Sequence, residues 1–444
     1  MPDKCRPIFD NLFRRSVDIA SLAALRILFG LIMAVAMGRF IAKGWVTQMY
    51  IQPTFYFAYP GLEWIHPLPG GWMYAPFVLA MVAAIGVALG LFYRCCIILF
   101  LVAFSYIELL DQTAYLNHYY LVSLISGLLV FMPANAAWSL DCRRNPALKL
   151  ETIPAWTVNL FRFQLAMVYI FAGLAKLTPD WLFRAEPLRI WLAARSDLPL
   201  IGTWLGEPLV AFLASWAGAI FDCSIVFFLL NGRTRKAAYA VLIIFHVATW
   251  ILFNIGMFPW IMIAVTTIFF APDWPRKFLR ALCISHGETA THEQHFATVR
   301  ARTIALVMIF AFVQLALPLR SFFSRLPVGW TCSNFNCAWR VMIVEKTGYA
   351  EFFAFDPSTR ASSRIPTAEF LSPRQEMLMA QDPYLIRDMA RYMCAQLQRR
   401  GATNMEIRVN AFASLNGRPS QRLIKEDINL AGTLPADWII PLAN

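Results

Sequence analysis

Long apolar runs recur through the first three quarters of the chain, and they limit it to folds built from membrane-spanning helices. A helix needs about 20 apolar residues to cross a bilayer. Of the 444 residues, 59% are hydrophobic and only 15% are charged, whereas about a quarter are charged in soluble domains. The candidate spans lie at 20–42, 72–92, 96–112, 118–134, 157–178, 208–230, 237–253, 257–272 and 303–319. We therefore predict an α-helical polytopic membrane protein with about nine transmembrane helices.

The last quarter of the chain has the composition of a soluble domain. Residues 341–355 are rich in aromatic and β-branched residues, which is typical of a strand. Residues 405–414 alternate between apolar and polar with the period of a half-buried strand, and Asn416-Gly417 supplies a turn. Sequence with charged helical faces lies between these two segments. The predicted organisation is a transmembrane domain at 1–319 followed by a small extramembrane α+β domain at 320–444.

Lys and Arg residues cluster in every second loop between the apolar runs, which predicts the orientation of the chain. Cytoplasmic loops carry an excess of these residues, so we predict that the N-terminus is cytoplasmic. An odd number of spans then places the C-terminal domain outside the cytoplasm. The same clusters account for the net charge of +12. We therefore expect the protein to lie in a lipid bilayer, and we do not expect it to bind nucleic acid. The run 237–272 has basic clusters at both ends, which predicts a short hairpin that turns near Asn254-Ile255-Gly256.

Ionisable residues inside predicted spans are costly and are therefore candidate functional groups. They are Arg26, Glu108, Asp111, His118, Arg162, Lys176, Asp222 and His246. Arg162, Tyr169 and Lys176 follow one another at intervals of seven, so they form a polar stripe along the fifth span. Lys176, at the outer end of the stripe, has two interpretations. It is either an interfacial lysine that reaches toward the bilayer surface or an amine that burial keeps neutral, able to take up a proton.

The predicted turn between the third and fourth spans carries a second polar group. Asp111, Asn117 and His118 lie there, on the same predicted side as Lys176. This turn can orient an imidazole or hydrogen-bond a ligand, and helix capping or a satisfied interfacial histidine is the alternative. His246 lies in the middle of a span, where an unpaired imidazole is costly, so we expect it to have a partner or a ligand.

Three histidines and two glutamates fall in one loop, at His286, Glu288, His292, Glu293 and His295. Their spacing matches no standard metal site, the motif HExxH is absent, and the loop is predicted to be cytoplasmic. A solvated loop is the better interpretation, and no metal is expected.

The chain contains nine cysteines but no CxxC pair. Cys332 and Cys337 lie close together in a segment that is predicted to be outside the cytoplasm. They form either a small disulfide or two unpaired thiols near the membrane surface.

Several short stretches resemble one known family. Residues 110–118 (LDQTAYLNH) with 138–141 (WSLD) are similar to a region of the vitamin K-dependent γ-glutamyl carboxylases, and residues 168–177 (VYIFAGLAKL), followed by Asp180-Trp181, are similar to the segment that bears their catalytic lysine. A third block comprises 245–246 (FH), 255–258 (IGMF) and 272–277 (PDWPRK), and 414–418 (SLNGR) with 421–422 (QR) resembles their extramembrane domain. The blocks occur in the same order as in the family and cover nearly the whole chain.

The resemblance implies an enzyme that oxygenates reduced vitamin K, or a related quinol, to its epoxide. In the family this reaction generates a base strong enough to remove a γ-proton from a peptidyl glutamate, and CO2 then adds to the carbanion. The implied co-substrates are an isoprenoid quinol, O2, CO2 and a glutamate-containing peptide or protein. By this resemblance Lys176 would be the base on the quinol, and His118 and His246 would position or polarise the reacting groups. The remaining predicted quinone- or substrate-binding residues in the spans are Asp111, Asn117, Tyr169, Arg162 and Asp222.

Two departures from the family pattern keep other functions open. The histidine-bearing stretch that follows the last span in the family corresponds here to Val344-Glu345-Lys346, and Lys176-Leu177-Thr178 replaces a paired-lysine version. The alternatives are a quinol epoxidase or monooxygenase that does not carboxylate, and a transporter or membrane scaffold without chemistry. Arg418 and Arg422, beside the predicted hairpin turn, either hold a substrate carboxylate or are solvated surface residues.

Overall fold

A computed structural model describes residue 13 and residues 15–282, 299–402 and 404–443. Each predicted span corresponds to a helix, and the helices are α1 Ala20–Ala42, α2 Tyr74–Leu89, α3 Tyr93–Leu109, α4 Asn117–Phe131, α5 Ala155–Lys176, α6 Pro208–Leu230, α7 Arg235–Leu252, α8 Phe258–Thr266 and α9 Ala301–Leu319. Within the described residues, six helices are long and apolar enough to cross a membrane. Those of the third, fourth and eighth predicted spans are shorter, so nine crossings stays a prediction. Shorter helices connect them at Trp45–Tyr50, Leu140–Arg144, Pro179–Leu182, Leu188–Ala193, Gly202–Leu205, Trp274–Ala281 and Val328–Thr331.

A short antiparallel ribbon lies at the start of the bundle. Strand β1, Ser16–Asp18, pairs with β2, Thr152–Pro154, which immediately precedes α5. Asp18 also binds Arg276, at 2.8 Å from Nε to Oδ2. The ribbon and this ion pair therefore hold the starts of α1 and α5 close to the short helix Trp274–Ala281.

Small residues allow the central helices to approach closely. A Cβ atom added to Gly173 in α5 would stand 2.7 Å from the backbone nitrogen of Cys223 in α6, closer than real Cβ atoms come. Gly30 of α1 meets the backbone of α2 in the same way. Because Gly173 lies about one turn before Lys176, and Cys223 follows Asp222, the α5–α6 contact brings these two charged residues face to face.

The predicted hairpin between α7 and α8 is present. Helix α7 ends at Leu252 and α8 begins at Phe258, with Gly256 at φ +63° in the connection. This left-handed conformation favours glycine, which has no Cβ to clash with the following carbonyl. The break lies at the predicted Asn254-Ile255-Gly256, where Asn254 is exposed and the next two residues are half-buried.

The C-terminal part forms the predicted small α+β fold. Its antiparallel sheet has the order β4-β3-β5-β6, with β3 Lys346–Phe355, β4 Ser362–Ile365, β5 Glu406–Leu415 and β6 Gln421–Arg422. Helices α10 Pro373–Met379 and α11 Pro383–Arg399 cover it. The alternate residues of β5 from Ile407 onward are buried, as their period predicts.

The first strand of this sheet begins later than the sequence predicts. We expected an extended run from Val341, but β3 starts at Lys346. Met342 has φ +55°, which is incompatible with a strand, and the carbonyl of Val341 accepts a hydrogen bond from Lys176. The apolar residues before β3 therefore close the top of the helical bundle. The exact domain boundary at residue 319 stays a prediction.

Cys332 and Cys337 are unpaired thiols, so the disulfide alternative is not realised. The Cys332 Sγ lies 3.6 Å from the carbonyl of Gln381, and the Cys337 backbone N–H donates to the hydroxyl of Tyr115. Burial raises the pKa of both thiols, which disfavours the reactive thiolate.

Candidate functional site

A narrow, mainly apolar cavity of about 240 Å³ lies among α5, α6, α7 and α8. Phe245, Phe253, Phe258 and Met262 form much of its wall, and Val341 and Met342 lie at the end nearest the C-terminal domain. Lys176, Asp222, Tyr169 and His246 bring ionisable groups to this wall. We call this space the apolar cavity.

Lys176 is buried at the wall of the apolar cavity, with only 4% of its surface exposed. Its Nζ lies 2.7 Å from Oδ2 of Asp222 and 3.3 Å from the carbonyl oxygen of Val341, to which it donates. The ring of Trp181 lies 5.2 Å from the same nitrogen. The side chain does not reach toward the bilayer surface, so the interfacial interpretation of Lys176 is wrong.

Tyr169 and His246 form a second polar pair in the apolar cavity. The Tyr169 hydroxyl lies 3.0 Å from Nε2 of His246, which supplies the partner expected for this buried imidazole. Nδ1 of His246 is buried and has no hydrogen-bond partner among the described residues. An unpaired buried nitrogen is costly, so it is available to a ligand in the cavity.

A larger cavity of about 950 Å³ adjoins the apolar cavity and lies between the bundle and the C-terminal domain. We call it the polar cavity. Asp111, Asn117 and His118 all line it, as their predicted clustering implies. Asp111 accepts hydrogen bonds from Thr113 and from Gln375 of α10, at 2.7 Å for the latter, so it also joins the two parts of the chain.

The two cavities share a wall made by Ile255, Phe258, Val341 and Met342. The Phe258 ring centroid lies 5.6 Å from that of His118 and 6.0 Å from that of His246. Lys176 and His246 thus line one cavity, while His118 lines the next, on the other side of Phe258. The two predicted catalytic histidines therefore lie against one aromatic ring from different cavities, and Lys176 shares its cavity with His246 only.

Three predicted binding residues lie outside both cavities. Arg162 donates to the carbonyls of Ile268 and Phe270, both at 2.9 Å. It therefore binds the backbone that follows α8. Arg418 binds the carboxylate of Asp180 with both terminal nitrogens, at 2.7 and 2.8 Å.

Arg422 stacks on Phe412, with 4.8 Å from Cζ to the ring centroid, and its Nη2 lies 3.4 Å from Glu426. The substrate-binding roles of Arg162, Arg418 and Arg422 stay predictions, and the structure gives all three guanidinium groups protein partners.

Sequence reasoning missed the arginines of the polar cavity. Arg39 ends α1, Arg340 lies before β3 and Arg374 lies in α10, and all three line this cavity. The available signal was Arg39 itself, because a basic residue at a predicted outer helix end runs against the usual charge bias of membrane proteins.

The described residues contain no group of three His, Cys, Asp or Glu side chains able to hold a metal ion. The histidine loop at 286–295 lies outside the described residues, so its interpretation as a solvated loop stays a prediction.

The helical part and the C-terminal part of the chain each match one family model. Residues 14–274, the helical part around the apolar cavity, match the HTTM domain. Residues 299–444 match the lumenal domain of vitamin K-dependent gamma-carboxylase. The chain belongs to the vitamin K-dependent gamma-carboxylase family. No solved structure matches it.

The residues of the two cavities can now be assigned to the two domains of this carboxylase family. Lys176, Asp222, Tyr169 and His246 all lie in the part that matches the HTTM domain, whereas Arg340 and Arg374 lie in the part that matches the lumenal domain. The six long apolar helices identify this family member as an integral membrane protein. The polar cavity therefore lies where the two family domains meet.

Proposed function

We propose that the protein oxygenates a reduced isoprenoid quinone in the apolar cavity and couples this reaction to γ-carboxylation of peptidyl glutamate. One observation carries the proposal: a buried lysine and aspartate, 2.7 Å apart, face a cavity that is otherwise almost wholly apolar. Family membership supports reduced vitamin K, O2 and CO2 as co-substrates.

The apolar cavity fits a quinol in two respects. Its aromatic and aliphatic lining suits a fused ring and an isoprenoid chain, because neither loses hydrogen bonds on leaving water. Its few polar atoms suit the two ring oxygens, since Nδ1 of His246 lacks a partner and Nζ of Lys176 lies at the wall. The overall reaction converts quinol, O2, CO2 and a glutamate side chain to quinone epoxide, γ-carboxyglutamate, water and a proton.

Lys176 acts in this proposal as the base that removes a hydroxyl proton from the quinol. Nζ is an ammonium in the resting ion pair, so the reacting form is the one that has given up this proton. Nζ becomes an ammonium again as it takes the quinol proton, and the carboxylate of Asp222 stabilises that charge. Tyr169 holds the imidazole of His246 through Nε2, which leaves Nδ1 without a protein partner and able to hydrogen-bond the substrate. The phenylalanine wall keeps out water that would quench a strong base.

The orientation of the chain is part of the proposal. The Lys176 end of α5 contacts Val341 at the start of the C-terminal domain, which supports one side of the membrane for both. The distribution of basic loops supports a cytoplasmic N-terminus and an extracytoplasmic C-terminal domain. Reporter fusions at the two termini test this, and a cytoplasmic signal from the C-terminal fusion would contradict it.

The function is tested with purified protein in detergent, a reduced vitamin K, O2, a glutamate peptide and labelled bicarbonate. We expect wild type to form both epoxide and acid-stable label, and Lys176→Ala to lose at least about a hundredfold in both, the usual scale for a catalytic base. Lys149→Ala is the matched control, because this lysine is exposed and lines neither cavity.

The outcomes separate the candidate functions. Epoxide without fixed label would replace the carboxylase with a quinol epoxidase. Neither product, from folded protein with bound quinol, would contradict quinol chemistry and leave a transporter or scaffold. Equal activity of Lys176→Ala and wild type would remove the lysine from the mechanism.

A further inference from the structure

Three arginines from separate parts of the chain line the polar cavity. Arg39 comes from the end of α1, Arg340 from the segment before β3 and Arg374 from α10. Arg39 belongs to the membrane bundle and Arg374 to the sheet domain, so both parts of the chain bring an arginine to the wall of this cavity.

None of the three arginines forms an ion pair with a carboxylate of the described residues. Arg276, Arg408 and Arg418, by contrast, all have acidic partners. Nε of Arg340 is buried without a hydrogen-bond partner among the described residues. Leaving the half-buried Arg340 guanidinium without an anion is costly, and a bound anion would relieve that cost. Arg39 is half-buried, with its Cζ 5.0 Å from the Trp45 ring, and Arg374 is exposed.

The charges of the lining residues favour an anion. Among the described residues that line the wall, Asp111 is the one acidic residue, and Gln375 and Thr113 already donate hydrogen bonds to it. With three arginines against one carboxylate, the wall carries an excess of two positive charges. Guanidinium groups bind carboxylates with paired, parallel hydrogen bonds, which neutral donors do not provide.

We propose that the polar cavity binds carboxylate side chains of an acidic peptide through Arg39, Arg340 and Arg374, and that it binds a side chain with two carboxylates more tightly than one with a single carboxylate. This inference deepens the proposed function, on which it rests, by assigning its peptide subsite to residues that differ from Arg418 and Arg422. The excess of two charges matches the malonate-type side chain of the carboxylated product. The shared wall at Phe258 and Met342 places such a side chain beside the apolar cavity.

Direct binding tests the inference without requiring any turnover. Three blocked amino acids serve as probes, carrying the side chains of glutamine, glutamate and γ-carboxyglutamate, and titration calorimetry of the full-length protein in detergent gives each Kd. We expect glutamate to bind about tenfold more tightly than glutamine and γ-carboxyglutamate about tenfold more tightly again, the scale of one charge-assisted hydrogen bond each. Inorganic phosphate at equal concentration tests whether the site selects carboxylates, because guanidinium groups also bind phosphate with paired hydrogen bonds. We expect it to compete more weakly than γ-carboxyglutamate, whose two carboxylates are separate groups.

Single variants then identify the residues. Arg340→Gln and Arg374→Gln should each weaken γ-carboxyglutamate binding about tenfold, with lysine at either position recovering part of the loss. Arg399→Gln, at an exposed position in the last turn of α11, is the matched control and should bind like wild type. Thermal unfolding of each variant shows whether it is folded.

Equal affinity for glutamine and glutamate, or unchanged binding by folded Arg340→Gln and Arg374→Gln, would overturn the subsite. Equal affinity for one and two carboxylates would overturn the preference for the doubly charged side chain. Phosphate that competes as well as γ-carboxyglutamate would replace the peptide subsite with a general anion site. If the arginine-dependent binding is found but no epoxide forms in any assay, the proposed function fails and the subsite stands.

Discussion

At the scale of single residues, the pair of Lys176 and Asp222 is the most demanding feature of the protein. Each side chain is almost fully buried, so each depends on the other for its charge balance. Removing one partner of a buried ion pair typically costs about 3–5 kcal/mol, because the remaining charge is left uncompensated.

We predict that Asp222→Asn lowers the free energy of unfolding by about 3 kcal/mol and also abolishes epoxide formation. The amide keeps the shape of the carboxylate but does not neutralise an ammonium at Lys176. Denaturant unfolding in detergent and an epoxide assay measure the two effects.

The double variant Lys176→Met, Asp222→Leu is the control that separates the effects. An apolar pair of similar size should recover most of the stability while epoxide formation stays absent. Full activity of Asp222→Asn would show that the carboxylate takes no part in the reaction.

At the scale of elements, the close approach of α5 and α6 determines whether the ion pair exists. Gly173 permits the approach, since a Cβ there would meet the backbone of Cys223 at 2.7 Å and could not be relieved by a side-chain rotation. The glycine lies within the stretch VYIFAGLAKL that carries the family resemblance.

We predict that Gly173→Ala separates the two helices, costs about 1–3 kcal/mol of stability and reduces epoxide formation. Gly127→Ala in α4 is the matched control, because nothing lies within 4 Å of the added methyl group. It should be neutral or slightly stabilising, since alanine favours a helix over glycine. Similar stabilities for the two variants would argue against the packing role of Gly173.

At the scale of the whole molecule, Asp180 links the membrane bundle to the sheet domain. It accepts from Arg418 and from Asn416, both in the turn after β5. Burial raises the pKa of Asp180, but the hydrogen bonds from Arg418 and Asn416 and the charge of Arg418 lower it more. The net pKa therefore lies below the ordinary value of 3.8.

We predict that this link stabilises the protein above about pH 3.8 and that its contribution is lost as the pH falls through the lower folded-state pKa. Asp180→Asn should therefore be less stable than wild type at pH 7, by roughly 1–3 kcal/mol, with the difference vanishing in acid. Thermal unfolding at several pH values measures it.

Arg184→Gln is the control for the Asp180 prediction. Arg184 lies 3.8 Å from Asp180 but is largely exposed, so its loss should leave stability nearly unchanged. A stability difference for Asp180→Asn that persists at low pH would contradict the proposed ion-pair origin.

The sequence by itself determined the membrane character, the helix positions, the α7–α8 turn and the alternating strand β5. Each of these follows from local hydrophobicity, period or turn chemistry, which neighbouring residues specify. It also identified Lys176, Asp222 and His246, because buried ionisable groups stand out in an apolar background.

Only the tertiary structure decided which of these groups meet. Lys176 pairs with a residue of α6 and a carbonyl of the C-terminal domain, His118 lies across Phe258 from His246, and Arg418 binds Asp180. The start of β3 and the arginine wall of the polar cavity depend in the same way on how the domain docks on the bundle. Such contacts join residues far apart in the chain, and their partners are set by packing rather than by the spacing of residue types.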